Sequence, residues 1–172
     1  MSNRLFTMVP GTIWSDQKFK NLPTDLDRYL FIYILTSGHQ NLAGTYGLPD
    51  GYAATDLGWT VEEYQQRREH LVVAGFIKFD STTSEVMVVD WFQWNPASGL
   101  RVTPGIRRVV SNIKSTHVRA ALEQALNDAQ APHPQSDDPT AVTFNRFHTR
   151  HMLEAPSEAA RSGRRALPKP RP

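Results

Sequence analysis

Cysteine is absent from all 172 residues, which excludes disulfide scaffolds, zinc ribbons and thiol catalysis. Long apolar runs are absent too. The longest, Leu30–Leu35, falls far short of the roughly 20 residues a membrane-spanning helix needs. The first residues, Met1–Thr7, lack the apolar stretch of a signal peptide, so a cytoplasmic protein without a membrane partner is expected. Phosphate-cradling Gly-rich loops, dinucleotide fingerprints and Gly-x-Ser-x-Gly turns are missing as well. Asp25 and Asp27 are accounted for by helix capping, and Asp50, Asp56 and Asp90 are too scattered for a metal-dependent phosphoryl transfer. His148, His151 and Glu154 have a helical ligand spacing, but nothing supplies a fourth ligand. No enzyme, catalytic residue, cofactor or metal is expected.

An excess of one charge is also missing over most of the chain. Residues 1–130 carry twelve Lys/Arg against thirteen Asp/Glu, whereas residues 131–172 carry seven against four. A basic chain usually points to nucleic acid; here the basic balance belongs to the last quarter.

What is present is a series of short amphipathic elements between clear stop signals. Residues 4–14, with Pro10-Gly11 as a turn, read as an extended lead-in strand. Thr24 with Asp27 forms an Asp version of the capping box, and Leu26, Tyr29, Leu30, Tyr33 and Ile34 continue a helix to about Ser37. Residues 42–48 read as a short strand, and 50–57 as a short helix ended by Gly58. Thr60-Val-Glu-Glu63 is a second capping box. Val61, Tyr64, Leu71 and Val72, with Arg68 along the same stripe, mark a helix to Ala74. Residues 76–80 and 85–92 read as strands joined by the polar loop 81–84. Helix, strand, helix, helix, strand, loop, strand is the order of a winged helix-turn-helix.

Two further helices follow Thr103-Pro104, with a break near 115, and their apolar faces fit the sheet or a second copy of the chain. The Pro-rich, polar composition from Ala131 predicts disorder. The expected fold is thus α+β and mainly helical. A winged helix-turn-helix at 1–96 is followed by a helical extension at 97–130, which is a candidate homodimer surface. A disordered basic tail occupies 131–172.

In such a fold the second helix of the pair enters the major groove. With Val61, Tyr64, Leu71 and Val72 inward, the outward set is Glu62, Gln65, Gln66, Arg67, Glu69, His70 and Val73. Gln pairs bidentately with adenine and Arg with guanine, so Gln65, Gln66, Arg67 and His70 are the candidate readers of double-stranded DNA. Lys78, Thr82 and Thr83 of the hairpin, with Arg107 and Arg108, are candidate backbone contacts. Arg161, Arg164, Arg165, Lys169 and Arg171 would add a sequence-independent attraction. Glu62 and Glu69 favour a different reading of the same helix, as a protein-docking face that reads no DNA. The aromatic cluster Trp91-Phe92-x-Trp94 is expected to bury against the helices after 103 rather than stack on bases.

Ile13-Trp-Ser-Asp16, Leu22–Thr36, Asn41-Leu-Ala-Gly-Thr-Tyr-Gly-Leu-Pro49, Ala74-Gly-Phe-Ile77 and Asp90-Trp-Phe-Gln-Trp-Asn-Pro96 run in one order over about half the chain. This stretch resembles the N-terminal winged-helix domain of bacteriophage replisome organisers and replication initiators. The resemblance implies origin binding by the helix at 61–74. It also implies recruitment of a replicative helicase or its loader by the part beyond 103. A phage-borne transcription regulator on the same scaffold is the neighbouring expectation.

Overall fold

A computed structural model describes residues 7–97 and 102–131. The chain opens with a 3-10 turn at Gly11–Ser15 and a short helix α1, Gln17–Lys20. Over residues 7–14 the expected lead-in strand does not form. Pro10-Gly11 starts a turn, and the Asp16 side chain caps α1 by accepting from the Phe19 amide at 3.1 Å. The coil buries Ile13 and Phe19, an apolar anchorage that a lone extended segment would lack.

Helix α2, Asp25–Thr36, starts at the Thr24–Asp27 capping box, with both reciprocal bonds present. It buries Leu30, Phe31, Ile34 and Leu35. The loop after it leads into β1, Thr45–Gly47. Gly44 lies at φ +64°, and a Cβ there would sit 2.4 Å from the Trp91 ring, so only glycine fits. Helix α3, Asp50–Leu57, ends at the left-handed Gly58. Helix α4, Val61–Val73, starts at the Thr60–Glu63 capping box. The hairpin β2, Ile77–Asp80, and β3, Glu85–Val88, follows.

The second strand of the hairpin is shorter than expected. Asp90 takes a left-handed backbone (φ 60°), and Trp91–Trp94 then forms the one-turn helix α5. That turn carries Trp91 and Phe92 into the core, where α5 packs on the last helix. Helices α6, Val102–Asn112, and α7, Thr116–Gln130, complete the described chain. The break between them falls at Ser115, whose side chain caps α7.

The sheet is antiparallel with order β1-β3-β2. Register pairs Tyr46 with Val86 and Phe79 with Val86 on one face, and Thr45 and Lys78 with Met87 on the other. The first face meets α2, where the Tyr46 hydroxyl donates to the Ile34 carbonyl at 2.6 Å. The second is covered by α7. Both faces of β3 are therefore buried. The architecture is mainly helical with one small sheet, α+β. Ile106, Ile113, Val118, Leu122 and Leu126 of the last two helices and their junction belong to the same apolar cluster as α2 and the sheet.

Candidate functional site

Helix α4 is fixed from below by Tyr64 and Leu71, both without exposed surface. Its flanks are polar but engaged. Arg68 pairs with Asp50 of α3 and lies 3.8 Å from the Phe79 ring centroid. Gln65 Nε2 donates to Asp50 at 2.7 Å. On the opposite flank Arg67 Nη1 donates to Thr24 Oγ1 at 3.0 Å and stands 3.6 Å from Asp27 Oδ1. Its guanidinium lies 5.2 Å from the Trp59 ring centroid. His70 Nδ1 meets Asp27 Oδ1 at 3.0 Å.

Of the four candidate readers, then, Gln65, Arg67 and His70 are tied to α2 or α3, and Gln66 alone projects freely. Polarity alone places Arg67 and His70 outward; the buried Asp27 on α2 draws them sideways. Val61, expected inward, is 37 % exposed at the first turn. The stripe facing solvent is Glu62, Gln66, Glu69 and Val73, the last 81 % exposed. All four stay exposed with the described elements after α5 in place.

The β2–β3 hairpin is fastened to the α6–α7 junction. Thr83 Oγ1 donates to Glu85 Oε2 at 3.0 Å, and the Thr82 amide to Asp80 at 2.8 Å. Glu85 is buried and also accepts from the amides of Lys114 (2.9 Å) and Ser115 (2.7 Å). Asp80 lies 3.7 Å from His117. The Ser115 hydroxyl and the Thr82 amide hold the Asp80 carboxyl below the usual carboxylate range. Of the expected backbone contacts, Thr82, Lys78, Arg107 and Arg108 are exposed, while Thr83 is turned toward Glu85. Lys78 lines a shallow open groove of about 380 Å³ with Val72, Ile77, Phe79, Val89 and His117.

The expected dimer surface is largely internal: the apolar side of α6 and α7 faces this chain's own core. Arg161, Arg164, Arg165, Lys169 and Arg171, and the His148–Glu154 group, lie outside the described residues. Among the described residues, no group of three or more His, Asp or Glu is placed to hold a metal, and no helix is long and apolar enough to cross a membrane.

Sequence reasoning did not single out a strip of aromatic residues across α2 and α3. Tyr29 packs 6.0 Å from Trp59, the Tyr33 hydroxyl donates to Asp56 at 2.7 Å, and His39 stacks on Tyr52. Burial and the Asp56 carboxylate push the Tyr33 phenol up from its ordinary value. Its sequence signal was Tyr29 and Tyr33, one turn apart on a helix whose other side is apolar. No protein-family model, no curated protein and no solved structure matches this chain.

Proposed function

We propose that residues up to about 96 form a winged helix-turn-helix and that the protein binds double-stranded DNA with α4 in the major groove. The role would be that of a phage-type replication initiator or regulator. The observation that carries the reading is the uncovered face around Gln66 on the second helix of an α3–α4 pair, with an antiparallel hairpin following it. The side chains on that face suit base edges more than phosphates. Gln66 matches adenine, and a Glu carboxylate accepts from the cytosine amino group. Arg107 and Arg108 are exposed cations for the backbone. A replicative helicase or its loader is the partner that the sequence resemblance implies.

Anisotropy of labelled duplexes across a salt series tests this. Binding should weaken with salt by a log–log slope of about −0.9 per phosphate contacted, and one sequence class should bind more tightly than random duplex. Salt-independent or absent binding at low salt refutes the reading. A second reading, a protein-docking module, is favoured by Glu62, Glu69 and the bare Val73 on the same stripe. Those residues suit a basic, apolar partner surface, and in that case Val73→Asp would abolish partner binding while duplex affinity is nil throughout.

A further inference from the structure

Asp27 has no exposed surface. Its Oδ2 accepts from the Thr24 amide at 2.8 Å and the Thr24 hydroxyl at 2.9 Å, and its Oδ1 from His70 at 3.0 Å. Those bonds occupy both oxygens and give the buried charge a cationic or polar partner on each side. Arg67 stands outside the set. At 3.6 Å its Nη1 is beyond hydrogen-bond reach of the carboxylate, and it is held by one hydroxyl and a ring face. Arg68 is different: it pairs directly with Asp50 and stacks on Phe79, 3.8 Å from the ring centroid. Among the cations of α4, Arg67 is the one whose departure leaves its buried neighbour still satisfied.

We propose that Arg67 is a two-position side chain. In the free protein it is parked on Thr24, Asp27 and Trp59; against duplex DNA it transfers to a backbone phosphate, and Asp27 is the positioning residue that sets how readily it leaves. This rests on the DNA-binding reading above. A phosphate offers a guanidinium full charge and a bidentate set of acceptors, where the parked state offers a hydroxyl and a carboxylate just out of reach. The outer stripe of α4 holds two carboxylates and no cation, so Arg67 is the residue from which this helix draws attraction for the DNA backbone.

The test is a double-mutant cycle on duplex affinity in the full chain. Asp27→Asn keeps an acceptor for the Thr24 amide and removes the charge. It should raise affinity for random duplex roughly threefold to tenfold, the range of a weak ion pair with a stacking contact. Arg67→Ala should flatten the salt slope by about 0.9. In the Arg67→Ala background, Asp27→Asn should have no effect. An equal gain in both backgrounds would mean that removing an acid acts through space, and overturns the proposal while DNA binding stands. A loss of affinity in folded Asp27→Asn overturns it as well. Should Asp27→Asn fail to fold, Trp59→Leu, which removes the other half of the parking place, should give a smaller gain that again vanishes without Arg67; a gain that persists without Arg67 overturns the proposal. Absence of wild-type duplex binding at low salt overturns this proposal together with the reading on which it rests.

Discussion

Two carboxylates are buried, Glu85 in the hairpin and Asp27 beside α4, and their partners from distant parts of the chain differ in kind. Glu85 accepts from two backbone amides and a threonine hydroxyl. Asp27 accepts from its own cap residue and from a histidine, with an arginine nearby. Backbone amides cannot turn away without moving a helix, so Glu85 fixes the hairpin to the start of α7. Side chains can turn away, so Asp27 ties the fold to groups that have a second use. A buried acid whose distant partners are the amides of a helix start is a joint, and one whose distant partners are side chains of an exposed helix is a control point.

The largest effect should come from breaking the joint. Glu85→Ala strands the amides of Lys114 and Ser115 and should cost about 3 kcal/mol of unfolding free energy, since a charged acceptor serving several buried donors is lost. Chemical denaturation measures it; a loss under about 1 kcal/mol would show that water replaces the carboxylate and that the hairpin is not fastened. Asp27→Ala should cost less, about 2 kcal/mol, because Arg67, His70 and the Thr24 hydroxyl can turn to water and the Thr24 amide is the group left without an acceptor. If it proves as damaging as Glu85→Ala, the contrast between joint and control point fails.

Gln66→Ala sharpens the comparison from the other side. It touches neither acid and should leave the denaturation midpoint unchanged. It should remove about 1–3 kcal/mol of preference for the favoured duplex and leave random duplex unaffected. Equal losses on both duplexes would show that α4 does not read sequence.

Which parts of this were legible in the sequence follows the range of the interactions. The starts of α2 and α4 were legible because Thr24 with Asp27 and Thr60 with Glu63 are local signals, complete within four residues. The break before α7 was legible through the slip in apolar period, and Ser115 caps it. The end of β3 was not. Val86, Met87 and Val88 run straight into Val89, and only the left-handed Asp90 turns the chain so that Trp91 meets Gly44. The sideways pull on Arg67 and His70 was not legible either, because it depends on a residue 43 positions away in the case of His70. Asp27 announced itself as a cap, and nothing in its spacing said that its second oxygen would face α4.

The smallest effect concerns Asp80, which faces Glu85 across the hairpin in the same ladder. Two carboxylates directly opposed would repel; here each has its own donors, and Asp80 has the exposed set with His117 beyond. Its carboxyl is held below the usual range by Ser115 and Thr82, so the folded state binds a proton less readily than the unfolded one. The resulting stability is present above the ordinary carboxyl value and fades as the pH falls through the lowered folded value. Asp80→Asn should therefore slightly lower the midpoint of thermal unfolding at neutral pH and make the acid side of the stability profile less steep. An unchanged acid limb would place the whole acid sensitivity elsewhere. A midpoint at neutral pH that falls as far as in Glu85→Ala would mean that Asp80, not Glu85, holds the hairpin to α7, and the distinction between the two kinds of buried acid would have to be redrawn around it.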